Sequence, residues 1–291
     1  MRALVTGGAG FVGTNLVNKL VNDGHEVIVF DNLLTGNQKN INKKAKFFLV
    51  DISHKKYFED KKMEEIINGV DVIFHMAALA RIQPSIKNPS ETIMNNFNST
   101  LNILELARKY EIPVIYAGSS SKHHGLYGSP YAWSKYGGEE LCKLYSEVYN
   151  LNTTICRFYN VYGPHHIRSG TYATVLGIFE RQYLNNEPLT ITGNGEQRRD
   201  FTHIDDIVDG LVRCVGKEHK AEEFELGSGV NYSINEIAEL FKCETKYIPA
   251  RSGEYDVTLC DYTKAEADLG YQPKGNIKTY VKQWLEENKW E

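Results

Sequence analysis

The chain has 291 residues, enough for about two domains of ordinary size or one large α/β unit. Its 33 Lys and Arg against 37 Asp and Glu leave a net charge of −4, which removes the electrostatic basis for binding a nucleic-acid backbone or an anionic membrane. Any anionic ligand must then be held by a few placed cations. With 42% hydrophobic and 24% charged residues the composition is that of an ordinary globular protein, and it excludes a disordered, collagen-like or disulfide-scaffolded chain.

In chain order, short runs rich in β-branched and aromatic residues predict strands at 3–6 (ALVT), 25–30 (HEVIVF), 45–50 (AKFFLV), 70–77 (VDVIFHMA), 113–119 (PVIYAGS) and 152–159 (NTTICRFY). Helical patterns fall between them at 11–22, 91–110 and 131–149. This alternation implies βαβ crossovers and a parallel sheet covered on both faces. Beyond residue 162 the rhythm loosens into a Gly/Pro/His-rich turn (163–170), a helical pattern to 185, a strand at 189–192 and the loop NGEQRRDF. There is no internal repeat or flexible linker, so two lobes are expected to be woven together.

Five cysteines (142, 156, 214, 243 and 260) are scattered without a C-x-x-C pair and read as the reduced thiols of a cytoplasmic protein. The opening MRALVTGGAGFVG puts Arg2 before an apolar stretch, but glycines break it too early for a secretory signal. No run of 18 apolar residues occurs, so no membrane span is expected.

Thr6-Gly-Gly-Ala-Gly-Phe-Val-Gly13 stands between the first strand and the first helix. Gly7, Gly10 and Gly13 permit a tight turn, close approach of a pyrophosphate to the helix N-terminus, and close packing of helix on sheet. The second strand ends at Asp31, where a carboxylate can accept both ribose hydroxyls of an adenosine and repel a 2′-phosphate. Neither Asn32 nor Leu33 supplies a compensating cation, so NAD is expected over NADP. A second constellation is Tyr131-Ala-Trp-Ser-Lys135, where i and i+4 share a helix face and Ser129-Pro130 offers an N-cap followed by Pro at the first helical position. Lys135, with a positive nicotinamide, is expected to pull the Tyr131 phenol below its usual pKa of ~10 and make it a general base. Upstream, the fifth strand ends in Ser119-Ser120-Ser121, at the sheet edge where such folds place ligands.

With these motifs the chain resembles an extended short-chain dehydrogenase/reductase, specifically a nucleotide-sugar epimerase. The resemblance also rests on DNLLTG (31–36), HMAA (75–78), NFNST (96–100), RFYNVYGP (157–164), GNGEQRRDF (193–201) and RSGE (251–254). It implies an α/β fold, a Rossmann-type doubly wound parallel sheet with a smaller interwoven α/β substrate lobe. On this reading 1–165 form the NAD-binding domain with a returning segment at about 188–215, and 166–187 and 216–291 form the substrate lobe. Tyr131 would be the base and Lys135 would bind the nicotinamide ribose. A strand-end serine would hydrogen-bond the oxygen being oxidised: Ser119 counted along the strand, or Ser120 counted back from Gly125. Phe11, Val12, Asn32, Asp51, Ile52, Ala77, Ala78 and Asn96 would line the cofactor. Asn160 would be a ligand of the diphosphate, Arg199 and Arg251 its cations, and Glu254 the acidic ribose ligand. Thr258 would stand beside the C2 substituent of the sugar, where a small residue admits an N-acetyl group.

The implied activity is NAD-dependent 4-epimerisation of a UDP-sugar, UDP-GlcNAc/UDP-GalNAc first and UDP-Glc/UDP-Gal second, by a homodimer. Its interface would use the helices at 91–110 and 131–149, with Leu101, Leu104, Leu141, Leu144 and Tyr145 as apolar positions. The rivals are a 4,6-dehydratase or 4-ketoreductase of the same fold and a non-catalytic NAD-binding sensor or scaffold. Dehydratases of the family carry an Asp-Glu pair after the strand-end residue, and here Ser120-Ser121 or Ser121-Lys122 follow. The histidine pairs 123–124 and 165–166 lack a third ligand at zinc spacing, so no metal is expected.

Overall fold

The computed structural model describes residues 1–58 and 61–288. It divides into two compact units, Met1–Arg157 with Leu211–Phe224, and Phe158–Gly210 with Glu225–Glu291. The returning segment therefore lies at 211–224 and not at about 188–215. The physical reason is strand pairing: the stretch at 189–192 pairs in a small sheet with 245–248, whereas the strand beginning at Glu222 joins the edge of the large sheet.

The first unit runs β1 (Arg2–Thr6), α1 (Phe11–Asn22), β2 (Glu26–Asp31), β3 (Lys46–Leu49), α2 (Lys61–Ile67), β4 (Val72–His75), α3 (Ile82–Lys87), α4 (Pro89–Tyr110), β5 (Val114–Ser119), α5 (Pro130–Tyr149) and β6 (Thr153–Phe158). The chain continues through β7 (Val161–Tyr162), α6 (Val175–Leu184), β8 (Leu189–Thr192), β9 (Arg198–Asp200), β10 (Thr202–His203), α7 (Ile204–Arg213) and β11 (Glu222–Leu226). It ends with β12 (Asn231–Ser233), α8 (Ile234–Glu239), β13 (Thr245–Ile248), α9 (Thr263–Leu269) and α10 (Ile277–Glu287). The large sheet has the order β11-β6-β5-β4-β1-β2-β3, with parallel pairing from β3 through β2, β1 and β4 to β5. Strand order reverses between β1 and β4, and the carboxyl ends of the strands flanking this switch point are where a doubly wound sheet holds its ligand.

Strand β4 and residues 3–6 of β1 are buried throughout, as expected of strands covered by helices on both faces. The core of this unit gathers Leu4, Ile28, Phe30, Ile73, Leu104 and Ile155. Helix α5 starts as its sequence predicts: the Ser129 side chain accepts from the Ala132 N–H at 3.1 Å, Pro130 occupies the first turn, and Asn150 closes the helix in the left-handed conformation. The second unit has its own core of Phe179, Leu189, Ile191, Ile237, Phe241 and Trp284. Of the positions expected to face a partner, Leu104 is fully buried in the first core, Tyr145 is buried with its hydroxyl donating to Glu105, and Leu101 and Leu141 pack against that core. Leu144 is half exposed. Helical spacing alone does not distinguish the face on the chain's own sheet from the opposite one. No helix among the described residues is long and apolar enough to cross a membrane.

Candidate active site

The β1–α1 turn is built around glycines that nothing else replaces. Gly7 is left-handed (φ 69°), and a Cβ there would stand 2.8 Å from the Ala77 backbone; a Cβ on Gly13 would overlap the Gly7 carbonyl oxygen. Gly10 is the N-cap of α1, with no side-chain cap on the helix, so the first-turn N–H groups at Val12 and Gly13 are left to an external acceptor. At the end of β2 the buried Asp31 carboxylate accepts from the Ala9 N–H (3.0 Å) and the Leu33 N–H (2.7 Å). Burial pushes its pKa up, and those two bonds oppose the shift. One lone pair on each oxygen remains for a pair of hydroxyls. Asn32 holds the following turn by accepting from the Leu34 N–H, and Asp51 accepts from the Ser53 hydroxyl and N–H. Burial raises the Asp51 pKa, but the Ser53 and Asn32 hydrogen bonds outweigh it and leave the carboxyl below its ordinary value. Ile52 is buried. A glycine cradle beside an open helix terminus, with a carboxylate at the next strand end, fits a dinucleotide.

At the end of β4 a chain of hydrogen bonds has one direction only. Thr100 Oγ1 donates to the Asn96 carbonyl (2.9 Å), so it accepts from His75 Nε2–H (3.1 Å). His75 Nδ1 is then bare and accepts from the Thr6 hydroxyl (2.8 Å), which in turn accepts from the Ala77 N–H (3.2 Å). Burial, with the charge of Lys135, pulls His75 down to a pKa of about 3 and keeps it neutral. The chain fixes Ala77 and Ala78 beside the glycine turn. Asn96 clamps the next residue but one, accepting from the Leu79 N–H (2.7 Å) and donating to the Leu79 carbonyl (3.2 Å) and to Ser134 (3.0 Å). Its amide is committed to the protein and holds the loop that follows β4.

At the carboxyl end of β5, Tyr131 O–H lies 3.4 Å from Ser119 Oγ. Ser121 also donates to Ser119 Oγ, at 2.8 Å from its hydroxyl and 3.3 Å from its N–H. Ser119 is the strand-end serine beside the phenol, and Ser120 opens a 3₁₀ turn (Ser120–His124). Ser121 was not legible from the motif, because only the turn brings i and i+2 hydroxyls together. Burial raises the Tyr131 pKa above its ordinary value, opposed by the Ser119 hydrogen bond and a nearby positive charge. That charge belongs to Arg81, the N-cap residue of α3, which packs on α5. Lys135 is buried, sits 4.2 Å over the Tyr116 ring, and is lowered to a pKa of about 8 by burial. Arg81 carries no local sequence signal.

In the second unit, Asn160 Nδ2 donates to the Asp200 carbonyl (3.1 Å) and to Thr258 Oγ1 (3.0 Å), and Thr258 Oγ1 also accepts from the Asp200 N–H (3.1 Å). Both amide hydrogens of Asn160 are engaged, so its side chain presents a carbonyl oxygen, an acceptor suited to a hydroxyl and not to a phosphate. Thr258 is 3% exposed. Arg199 donates to the Arg198 carbonyl; burial lowers its pKa against the opposing charge of Glu254. Arg251 and Glu254 lie exposed at either end of a turn. Asp200, missed in the sequence, is fully buried and accepts from Thr202, from the Ser228 N–H and hydroxyl, and from the Gly229 and Cys260 N–H groups at 2.7–3.1 Å. His166 is paired with Glu180 (2.7 Å). Among the described residues no group of three His, Cys, Asp or Glu is placed to hold a metal.

A seven-stranded doubly wound sheet with a glycine cradle, a strand-end carboxylate and a Ser-Tyr-Lys set defines a nicotinamide-dependent enzyme of the short-chain dehydrogenase/reductase type. Residues 3–227 match the NAD dependent epimerase/dehydratase family, and the chain belongs to it. It is 36% identical to a putative UDP-glucose 4-epimerase of Methanocaldococcus jannaschii over 98% of both chains. The crystal structure of Thermotoga maritima UDP-glucose 4-epimerase with UDP-glucose superposes with a TM-score of 0.90 at 31% identity, covering 98% of both chains. The dTDP-glucose 4,6-dehydratase of Streptomyces venezuelae with NAD bound superposes at 0.88 with 26% identity, covering 99% of this chain and 98% of the other. The family therefore contains more than one reaction on this fold.

Proposed function

We propose that the chain is an NAD-dependent UDP-sugar 4-epimerase whose preferred pair is UDP-GlcNAc/UDP-GalNAc. The observation that carries the reaction is the Tyr131 phenol 3.4 Å from Ser119 Oγ at the end of β5, with Ser120-Ser121 following where the dehydratases carry an acid–base pair. Tyr131 takes the proton of the 4-hydroxyl and returns it to the 4-keto sugar after the sugar has turned over. Ser119, whose oxygen accepts from Ser121, has one proton, shared between the phenolate and the sugar 4-oxygen. A nicotinamide held beside Tyr131 would supply the hydride acceptor and donor for C4. Lys135 binds the nicotinamide ribose, and Asp31 holds the adenosine ribose and selects against a 2′-phosphate. Arg199 and Arg251 hold the diphosphate, Glu254 the uridine ribose, and Asn160 accepts from a ligand hydroxyl through its remaining carbonyl.

The N-acetyl preference is supported by the small side chain at Thr258, the position that the resemblance sets beside the C2 substituent. Incubation with a panel of UDP-hexoses and UDP-N-acetylhexosamines, followed by separation of the C4 epimers, tests the proposal. Interconversion with no net NADH and no loss of water is the expected result. Loss of water would identify a dehydratase, net NADH consumption a ketoreductase, and no turnover a binding protein. The homodimer is proposed on the exposed apolar face of α4 and α5, where Met94, Trp133, Leu144 and Val148 are exposed.

A further inference from the structure

Five charged side chains interlock beneath the strand-end serines. Arg157 on β6 and Glu139 on α5, both buried, form a bidentate pair: Nε lies 3.1 Å from Oε1 and Nη2 lies 2.8 Å from Oε2. The same guanidinium reaches Glu223 on β11 at 2.7 Å. Glu223 also takes Lys143 at 2.7 Å and Lys122 at 3.1 Å, and Lys122 lies 3.8 Å from Glu139. Gly118 makes room for the pair, since a Cβ there would stand 2.8 Å from Glu139 Oε1 and 2.9 Å from Arg157 Cγ. Three cations thus share two carboxylates inside the first unit.

Lys122 differs from the other four. It alone among them belongs to the Ser120–His124 turn, and it directly follows Ser121, whose hydroxyl donates to Ser119 Oγ at 2.8 Å. We propose that Lys122 is a positioning residue, whose ion pair with Glu223 ties the serine turn to the buried Glu139–Arg157 pair and so holds Ser119 beside Tyr131. A 3₁₀ turn of five residues has little cohesion of its own. An anchor at its third residue, fixed to two strands and a helix, removes the freedom that would let Ser121 release Ser119. The catalytic consequence rests on the epimerase reading above, whereas the anchoring itself does not.

The test compares Lys122→Met, Lys122→Arg and Lys143→Met in the full chain. Lys143 is the control because it pairs with the same carboxylate, at 2.7 Å, from the body of α5 and does not belong to the turn. Lys122→Met is expected to lower kcat by ~10- to 10²-fold, as a displaced catalytic group does, with KM and NAD affinity unchanged. It is also expected to speed amide hydrogen exchange across 119–124. Lys122→Arg restores both, and Lys143→Met leaves both at the wild-type level. If Lys122→Met does not fold, Lys122→Gln is read in its place. Exchange and kcat that are the same in the two Met variants overturn the proposal. If wild type turns over no UDP-sugar, the proposed function fails, and the exchange measurement still decides the anchoring.

Discussion

A buried phenol is a poor base until something stabilises its anion, and for Tyr131 the groups that do so are the Ser119 hydroxyl and the charge of Arg81. Tyr131→Phe is expected to lower kcat by at least ~10²-fold while NAD affinity, measured by calorimetry, survives; near-normal turnover would remove the phenol from the mechanism. Thr258 combines size with hydrogen bonding, so the two are separated by substitution. Thr258→Tyr should abolish turnover of the N-acetyl pair, and Thr258→Val, which keeps the volume but loses the acceptor for Asn160 and Asp200, should weaken UDP-sugar binding for both sugar pairs. Unchanged N-acetyl activity in Thr258→Tyr would take Thr258 out of the specificity argument. His75 sets a pH dependence. Its folded pKa of about 3 lies below the ordinary 6.5, so between those values the unfolded chain binds a proton that the folded chain refuses. Stability from this group is complete above pH 6.5 and is lost as pH falls toward 3. The unfolding free energy of wild type should drop by ~2 kcal/mol more than that of His75→Gln between pH 7 and pH 5. Urea titrations giving the same difference at both pH values would contradict this.

Among the elements, β9 and the segments it gathers depend on one carboxylate. Asp200 satisfies the N–H groups of Ser228, Gly229 and Cys260 together with the hydroxyls of Thr202 and Ser228, and of these the Ser228 hydroxyl has the Val230 carbonyl at 2.9 Å as a second acceptor. Each orphaned buried donor costs about 1–3 kcal/mol, so Asp200→Ala should destabilise the protein by at least ~3 kcal/mol in denaturant unfolding. A loss under ~1 kcal/mol would mean that water replaces the carboxylate. Helix α5 has the opposite economy. Its Tyr131, Lys135 and Glu139 fall at i, i+4 and i+8 on one face, so one rigid helix, capped by Ser129, carries the proposed base, the proposed ribose ligand and the carboxylate of the buried ion pair.

At the scale of the molecule, the outer face of α4 and α5 remains apolar. Met94 and Val148 are 58% exposed, and a cavity of about 310 Å³ lies against Phe97, Trp133, Tyr136 and Leu144. Exposed apolar side chains gathered around such a hollow favour a contact surface. Sedimentation equilibrium at micromolar concentration should give a dimer, and Leu144→Glu a monomer with its fold intact by circular dichroism. A monomeric wild type would end the dimer proposal.

What the sequence determined by itself is what local spacing encodes. The glycines between β1 and α1, Asp31 at the end of β2, the Ser129 cap and the shared face of Tyr131 and Lys135 all follow from turn chemistry and the helical period, and they carried the fold, the family and the cofactor. Only the tertiary structure decided which serine meets the phenol, because the backbone path of a 3₁₀ turn separates Ser119 from Ser120. The same holds for the Arg81 charge at Tyr131, the Lys135 ammonium over the Tyr116 ring, the engaged amide of Asn160 and the inward orientation of Leu104 and Tyr145. Each depends on partners brought from distant parts of the chain, and Coulomb interactions, burial and hydrogen-bond saturation are fixed by distance in space, to which spacing along the sequence is blind.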